Sequence, residues 1–241
     1  MPSPTLLLGP AASGKTHACL ARVRAHLQHA PLSPVWVIVP DRHQAGAFRH
    51  RLAEAGGALG ARIATFGDLY GELLALTDGA LPLAPDPVLH RLVQAAVDAQ
   101  AEAGQLQHYR PVQRRPGLVT ALSDLIAELK RARIPPERWL EALRGRGRRL
   151  EELAQVYERY QALLIRLDWA DREGLGWLAI EALERRPDLA TGWYLVVDGF
   201  DSFTATQLDT LERLAGRVAA LTLPLTGDPA APADAPRLAH R

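Results

Sequence analysis

The sequence holds a single cysteine, Cys19, among its 241 residues. One cysteine excludes an internal disulfide and any metal centre built from several thiolates. We expect Cys19 to be a small buried apolar residue, a use that fits a reducing, cytoplasmic location. No stretch approaches ~18 uninterrupted apolar residues, and no basic segment precedes a long apolar one near the N-terminus. We therefore predict neither a membrane span nor a secretory signal.

Lysine is almost as scarce as cysteine, because only Lys15 and Lys130 occur in a chain that is rich in arginine. The net charge is +1, which argues against a protein that binds nucleic acid through overall positive charge. In a composition that favours arginine, a lysine inside a glycine-rich loop indicates a chemical role for Lys15. The chain is 48% hydrophobic, enough for a normal core.

Strand and helix patterns alternate over the first ~75 residues and return near the end of the chain. Apolar runs of strand length lie at Thr5–Leu8, Val35–Val39, Arg62–Phe66, Trp193–Val197 and Val218–Leu223. Between Pro85 and about Arg186 only helical patterns occur. We predict an α/β fold in which residues 1–80 and 189–226 form a parallel sheet, 81–188 form an all-helical insertion, and 227–241 form a disordered tail.

A glycine-rich loop follows the first strand and precedes the first helix. It matches the pattern G-x-x-x-x-G-K-[ST] with Gly9, Pro10, Ala11, Ala12, Ser13, Gly14, Lys15 and Thr16. In such a loop the backbone N–H groups cradle phosphates, the lysine reaches the β- and γ-phosphates, and the hydroxyl binds Mg²⁺. We therefore predict a site for ATP with Mg²⁺. The alternatives are a chance turn and a degenerate loop that binds nothing.

A second acidic site is needed to hold the magnesium, and Asp198 at the end of the strand Trp193–Val197 is the candidate. The alternative for Asp198 is a turn residue, because Asp-Gly is a turn dipeptide. The next position, where a glutamate often activates the attacking water, holds Gly199. Asp201 or Gln207 could take that role, so binding of nucleotide is better supported than its hydrolysis.

Four segments in this order resemble the N-terminal part of AddB-type proteins, which form part of bacterial helicase–nucleases related to the UvrD-like, superfamily 1 helicases. The segments are Leu8–Thr16, Val37–Gln44, Ile63–Leu69, and Val197–Thr204 followed by Gln207. The first is similar to the Walker A loop, and the last to the family's Asp-Gly-Phe version of Walker B. Active motors of the group usually carry Asp-Glu at that place.

The resemblance implies a RecA-like P-loop NTPase domain, called 1A, split by a helical domain 1B. We assign catalytic roles to Lys15, Asp198 and Asp201. The resemblance implies contact between DNA and Pro40, Asp41, Thr65 and Phe66. It also implies an AddA-like partner and a role in recombination and double-strand break repair. Because no second motor domain and no nuclease are evident, we expect a piece of a larger protein with little motor activity of its own.

Two other functions remain open. A stand-alone P-loop kinase or ATPase would use the helical insertion as a lid, whereas a non-catalytic scaffold would carry a vestigial ATP site.

A basic stretch of the helical segment has two interpretations, contact with DNA phosphates or a solvated helix face, and acidic residues interleave with it. It comprises Arg131, Arg133, Arg138, Arg144, Arg146, Arg148 and Arg149, with Arg110, Arg114 and Arg115 upstream. Asp168 or Asp171 is predicted to cap a helix.

Overall fold

The computed structural model describes residues 4–57, 59–77 and 79–227. Within this range the chain forms an α/β fold with five strands, all in one parallel sheet, and nine α-helices. The strands are β1 (Thr5–Gly9), β2 (Val35–Ile38), β3 (Ala61–Ala64), β4 (Tyr194–Val197) and β5 (Ala220–Thr226). Their order across the sheet is β1-β5-β4-β2-β3, so β5 separates β1 from β4.

The burial of each strand follows its place in the sheet. Every residue of the inner strands β2 and β4 is buried, as expected for strands covered on both faces. The edge strand β1 alternates instead, and Leu6 and Leu8 are exposed. All strands run in the same direction, so their carboxyl ends meet at one edge. That edge carries the turns after Gly9, Ile38, Ala64 and Val197.

The sheet packs against α1 (Lys15–His29) and α2 (Arg42–Glu54). Apolar residues recur about once per turn on both helices, and on α1 they are the buried Cys19, Val23 and Leu27. Cys19 is fully buried, which confirms the expected packing role. The corresponding stripe on α2 consists of Ala45, Phe48 and Leu52. Both stripes join residues of β2 and β4 in one hydrophobic core, which fixes where the strand ends lie.

The helical part contains α4 (Asp86–Glu102), α5 (Pro116–Arg131), α6 (Pro136–Leu143), α7 (Arg148–Arg166) and α8 (Arg172–Arg185). A 3₁₀ helix, Arg110–Val112, lies between α4 and α5. Together with Leu106, the apolar faces of α4, α5 and α7 meet in a second core. Its buried members are Leu92, Val93, Ala96, Val97, Leu106, Val119, Leu122, Ile126, Leu129, Val156, Tyr157, Tyr160 and Leu164.

A buried polar cluster ties three of these helices together. The Lys130 side chain on α5 is 1% exposed and donates to Asp171 Oδ2 at 2.6 Å. The Tyr160 hydroxyl on α7 donates to the same oxygen at 2.8 Å, and the Trp177 indole on α8 donates to the Lys130 carbonyl at 3.0 Å. Burial lowers the pKa of Lys130, and the attraction of Asp171 opposes that change. The ammonium is thus held by a specific partner rather than by water.

Several boundaries differ from the sequence prediction. The third strand ends at Ala64, and Phe66 begins α3 (Phe66–Ala75) instead of ending the strand. The reason is local, because Asp68 Oδ2 accepts from the N–H and the hydroxyl of Thr65, both at 2.8 Å, which starts the helix. Asp171 caps α8 as predicted, accepting from the Gly174 N–H at 2.7 Å. Asp168 instead adopts a left-handed conformation in the preceding turn.

The contacts divide the chain into two compact units. One contains residues up to Leu69, Arg186–Phe203 and the chain from Leu211 on, and it includes the sheet. The other contains Tyr70–Arg185 and Thr204–Thr210, and it holds the helical core. The last helix, α9 (Ala205–Ala215), precedes β5. Of the predicted disordered tail, residues 228–241 lie outside the described part of the chain. No described helix is both long enough and apolar enough to cross a membrane.

Candidate nucleotide-binding site

The loop between β1 and α1 has the backbone shape that close approach to a phosphate requires. Gly14 has a φ of +83°, a conformation that favours glycine, and it precedes α1 without capping it through a side chain. A Cβ on the buried Gly9 would lie 2.8 Å from Ser13 Oγ, so an alanine there would push the Ser13 side chain aside. The loop leads directly into the N-terminus of α1, and the positive end of a helix attracts anions.

Lys15 is folded back over this loop. Its ammonium donates to the carbonyl oxygens of Gly9 at 3.0 Å and Pro10 at 2.6 Å, and lies 3.5 Å from Ser13 Oγ. The Lys15 side chain is half-buried. The three groups that its ammonium contacts, two carbonyl oxygens and a hydroxyl, are all neutral. A phosphate would offer the ammonium a full negative charge in place of the two carbonyls.

Asp198 follows β4 at the same edge of the sheet and is 5% exposed. Burial raises the pKa of its carboxyl above the ordinary value, and a hydrogen bond with the Thr16 side chain opposes that rise. One strand separates β1 from β4, so their ends are about 10 Å apart, and Thr16 at the start of α1 spans that gap. The two residues predicted to bind magnesium are therefore in contact.

The oxygen atoms that meet here fit a magnesium ion. A hydroxyl and a carboxylate are hard ligands of the kind that Mg²⁺ prefers. Among the described residues no group of three or more His, Cys, Asp or Glu could hold a metal ion by itself. Mg²⁺ commonly takes one or two protein carboxylates as ligands and completes its shell with phosphate oxygens and water. Thr16 and Asp198 thus suit magnesium that arrives with a nucleotide.

A cavity of about 590 Å³ opens beside the loop, within the usual size range of small-molecule sites. Its lining includes the loop residues from Ala12 to His17 and, from the end of α2, Arg51 and Glu54. Arg51 also lowers the pKa of Asp198 through its charge, which places the guanidinium near the carboxyl. Arg51 was not predicted from the sequence, because no local motif marks it and only the packing of α2 brings it to the site.

The position after Asp198 is closed to side chains. Gly199 has a φ of +83°, and a Cβ there would collide with the side-chain oxygen of Gln44 and lie 3.5 Å from Pro40 Cδ. A glutamate at this position would require both a strained backbone and a displaced Gln44. The backbone conformation of Gly199 and the neighbouring Gln44 side chain therefore disfavour a glutamate at this position.

The two substitutes considered for that glutamate have different surroundings. Gln207 is occupied as a capping residue, because its side-chain oxygen accepts from the Thr204 N–H at 2.9 Å and its own N–H donates to Thr204 Oγ1 at 3.2 Å. Asp201 is exposed and follows the Gly199 turn. Asp201 is the more exposed of the two, because Gln207 is half-buried.

The residues expected to contact DNA lie in the turns after β2 and β3. Pro40 and Asp41 are exposed, and Asp41 Oδ1 caps α2 by accepting from the Gln44 N–H at 2.8 Å. Thr65 is half-buried and caps α3. Phe66 is only 5% exposed and packs edge-on against Phe200, with the ring centroids 5.4 Å apart. Its ring thus links the turn after β3 to the segment that follows Asp198.

Comparisons with known proteins place the chain in a family. The family model described as "ADDB, N-terminal" matches residues 6–240. Three similar proteins each carry the name of a subunit of an ATP-dependent helicase/deoxyribonuclease. The protein from Moorella thermoacetica is 30% identical over 240 residues, that from Alkaliphilus metalliredigens 27% over 228, and that from Thermoanaerobacter sp. (strain X514) 25% over 234.

These matches cover 93%, 91% and 92% of this chain, respectively, and 20% of each relative. The chain therefore spans about a fifth of the length of the curated relatives it matches. The family model covers nearly the whole chain, including the loop, the strand that ends before Asp198 and the helices between them. This chain belongs to the AddB N-terminal family.

Proposed function

We propose that this chain binds ATP with Mg²⁺ and forms the N-terminal, RecA-like part of an AddB-type protein. The observation that carries the proposal is the contact between Thr16 and Asp198 beside a phosphate-binding loop. In this proposal Gly9–Thr16 hold the phosphates, Lys15 neutralises them, and Thr16 and Asp198 hold the magnesium ion. Residues 1–80 and 189–226 correspond to domain 1A, and 81–188 to domain 1B.

The chemistry of the site favours retention of nucleotide over rapid hydrolysis. Bound magnesium would neutralise phosphate charge, while the loop and Lys15 orient the triphosphate. Gly199 leaves no side chain where the family's motors place their glutamate, so only Asp201 remains as a candidate to orient water. We expect ATP binding with little or no turnover by this chain alone.

The biological role proposed here follows the relatives, whose names describe ATP-dependent helicase and deoxyribonuclease activity. We propose that the chain acts on DNA with an AddA-like partner in recombination and double-strand break repair. Pro40, Asp41 and Thr65 are the proposed DNA-contacting residues. Phe66 is proposed to support the turn after β3 through packing, because its ring is buried.

Calorimetric titration of the 241-residue chain with ATP, with and without Mg²⁺, tests this proposal. We expect saturable binding at one site and weaker binding when EDTA removes the metal. No heat of binding in either condition would instead support a scaffold with a vestigial loop. Transfer of phosphate to a small acceptor would support the kinase alternative.

A further inference from the structure

Glu152 brings two distant arginine-containing segments together in the helical unit. This side chain on α7 is 2% exposed. It accepts hydrogen bonds from the N–H groups of Gln107, His108 and Tyr109, at 2.8 to 3.1 Å. Glu152 is one of the acids that interleave with the basic stretch in the sequence. Its carboxylate is buried and binds backbone groups about 45 residues upstream, so it is not available to the exposed arginines.

The arginines just before α7 and at its first two positions lie at the surface. Arg144, Arg146, Arg148 and Arg149 are all exposed and are called here the arginine surface. Arg148 donates to the Gln107 side chain, and Arg149 donates to the Tyr109 hydroxyl at 3.2 Å. Both partners are neutral, and within the described residues none of the four guanidinium groups lies within ion-pair distance of a carboxylate.

The nearest acids on the same turn are used for other contacts. Glu151 accepts from the Gly145 N–H at 2.8 Å, which holds the turn, and Glu152 anchors the segment at Gln107–Tyr109. Three other arginines of the basic stretch lie near acids. Arg133 pairs with Asp209, whereas Arg110 and Arg114 line a cavity that also contains Asp98 and Glu102. The arginine surface differs from these three, because its four exposed guanidinium groups lie close together in the sequence and have no ion-pair partner among the described residues.

Local electrostatics also set this surface apart. Arg148 and Arg149 are the first residues of α7, where the helix dipole favours acids over cations. Gly147, which precedes them, supplies no side-chain cap. A Cβ on Gly145 or Gly147 would meet nothing within 4 Å, so the turn faces solvent. Two cations at a helix end that disfavours positive charge indicate that these arginines serve binding and not the stability of the fold.

We propose that the arginine surface binds the phosphodiester backbone of nucleic acid. Guanidinium groups match phosphate oxygens with paired hydrogen bonds, and a nucleic-acid strand offers negative charges at regular intervals along the turn. The choice of nucleic acid over an acidic protein rests on the proposed function, in which DNA is the substrate. The surface belongs to the helical unit and is distinct from the proposed DNA-contacting turns after β2 and β3.

The test compares two pairs of arginines in the full 241-residue chain. R148Q/R149Q neutralises two members of the arginine surface, and R166Q/R185Q neutralises two exposed arginines elsewhere in the helical unit. Binding is measured by fluorescence anisotropy with a labelled single-stranded oligonucleotide, a duplex of equal length, and poly-glutamate. Each titration is repeated over a range of salt concentrations, because phosphate contacts release counterions.

We expect R148Q/R149Q to weaken oligonucleotide binding about tenfold and to reduce the salt slope for the single strand by about 1.4. R166Q/R185Q should stay within about twofold of the wild type. Absence of oligonucleotide binding by the wild type, or equal losses in both variants, would overturn the proposal. So would poly-glutamate binding of equal strength that is lost in the same variant.

Two controls separate this proposal from folding and from the nucleotide site. If circular dichroism shows that R148Q/R149Q has lost helix content, R144Q/R146Q replaces it, because those two side chains make no described hydrogen bond. ATP binding should be the same in R148Q/R149Q as in the wild type. If instead ATP fails to bind the wild type while the oligonucleotide results hold, the nucleotide proposal fails and the arginine surface stands.

Discussion

The two lysines of this chain lie in contrasting surroundings. Lys15 is half-buried in a loop at the sheet edge and is held by two backbone carbonyls that a phosphate can replace. Lys130 is fully buried in the helical unit and pairs with the buried carboxylate of Asp171. We propose that the same type of side chain binds a ligand in one place and stabilises the fold in the other. The proposed difference lies in whether the partner of the lysine can be exchanged for a ligand.

Replacing Lys130 should produce the largest loss of stability. Lys130→Ala leaves the Asp171 carboxylate buried without its cation, so we expect the free energy of unfolding to fall by about 3–5 kcal/mol. Urea denaturation followed by circular dichroism measures this loss. K130M/D171N removes both charges while an amide can still cap α8, and it should recover at least half of the loss. A loss of less than about 1 kcal/mol in Lys130→Ala would contradict the structural role.

Gly199→Ala should have the next largest effect. The left-handed backbone disfavours a Cβ by about 1–2 kcal/mol, and the collision with Gln44 adds to this loss. Adding Gln44→Ala to the Gly199→Ala chain should recover only the part of the stability loss that comes from the collision. The matched control is Gly46→Ala inside α2, where a Cβ meets nothing within 4 Å. That control should stabilise the protein by about 0.5–1 kcal/mol. Equal stabilities of Gly199→Ala and Gly46→Ala would contradict the conclusion that the surroundings of Gly199 disfavour a side chain.

Asp198→Asn should increase stability without nucleotide. Because burial raises the pKa of Asp198, the unfolded chain ionises this carboxyl more readily than the folded chain does. The wild type therefore loses stability as pH rises from the ordinary value of 3.8 through the folded pKa, and the asparagine variant avoids that loss. Thermal unfolding should show a higher midpoint for the variant at neutral pH and a difference that shrinks as the pH falls towards 3.8. A lower midpoint for the variant at neutral pH would contradict this explanation.

Lys15→Ala should have the smallest effect on stability. The side chain makes hydrogen bonds only to loop groups and is partly solvated, so we expect a change of less than about 1 kcal/mol. Urea denaturation beside Lys130→Ala provides the comparison, since both variants exchange a lysine for an alanine. Similar losses in the two would remove the distinction between a ligand-binding and a structural lysine.

The sequence was sufficient where a feature depends on neighbouring residues. The loop at Gly9–Thr16 and the helix after it were predicted with their boundaries, because the motif and its flanking strand are local. The end of the third strand was misplaced at Phe66, although the Thr65–Asp68 spacing is a readable capping signal. The prediction gave more weight to the apolar run Arg62–Phe66 than to this capping signal.

Features that depend on distant partners could not be predicted in the same way. Lys130 and Asp171 are 41 residues apart, and Glu152 binds backbone groups about 45 residues upstream. Arg51 lines the cavity beside the loop only because α2 packs there. In each case the residue type is visible in the sequence, but the burial and the partner that decide its role arise from tertiary packing.

The measurement that tests the nucleotide site most directly is calorimetric titration of wild-type and Lys15→Ala chains with ATP and Mg²⁺. We expect one saturable site in the wild type and a loss of affinity of about 100-fold or more in the variant, which corresponds to about 2.7 kcal/mol. The circular dichroism spectra of the two chains should coincide. Equal affinity of the two chains for ATP, or no binding by the wild type, would contradict the assignment of Gly9–Thr16 as a nucleotide site.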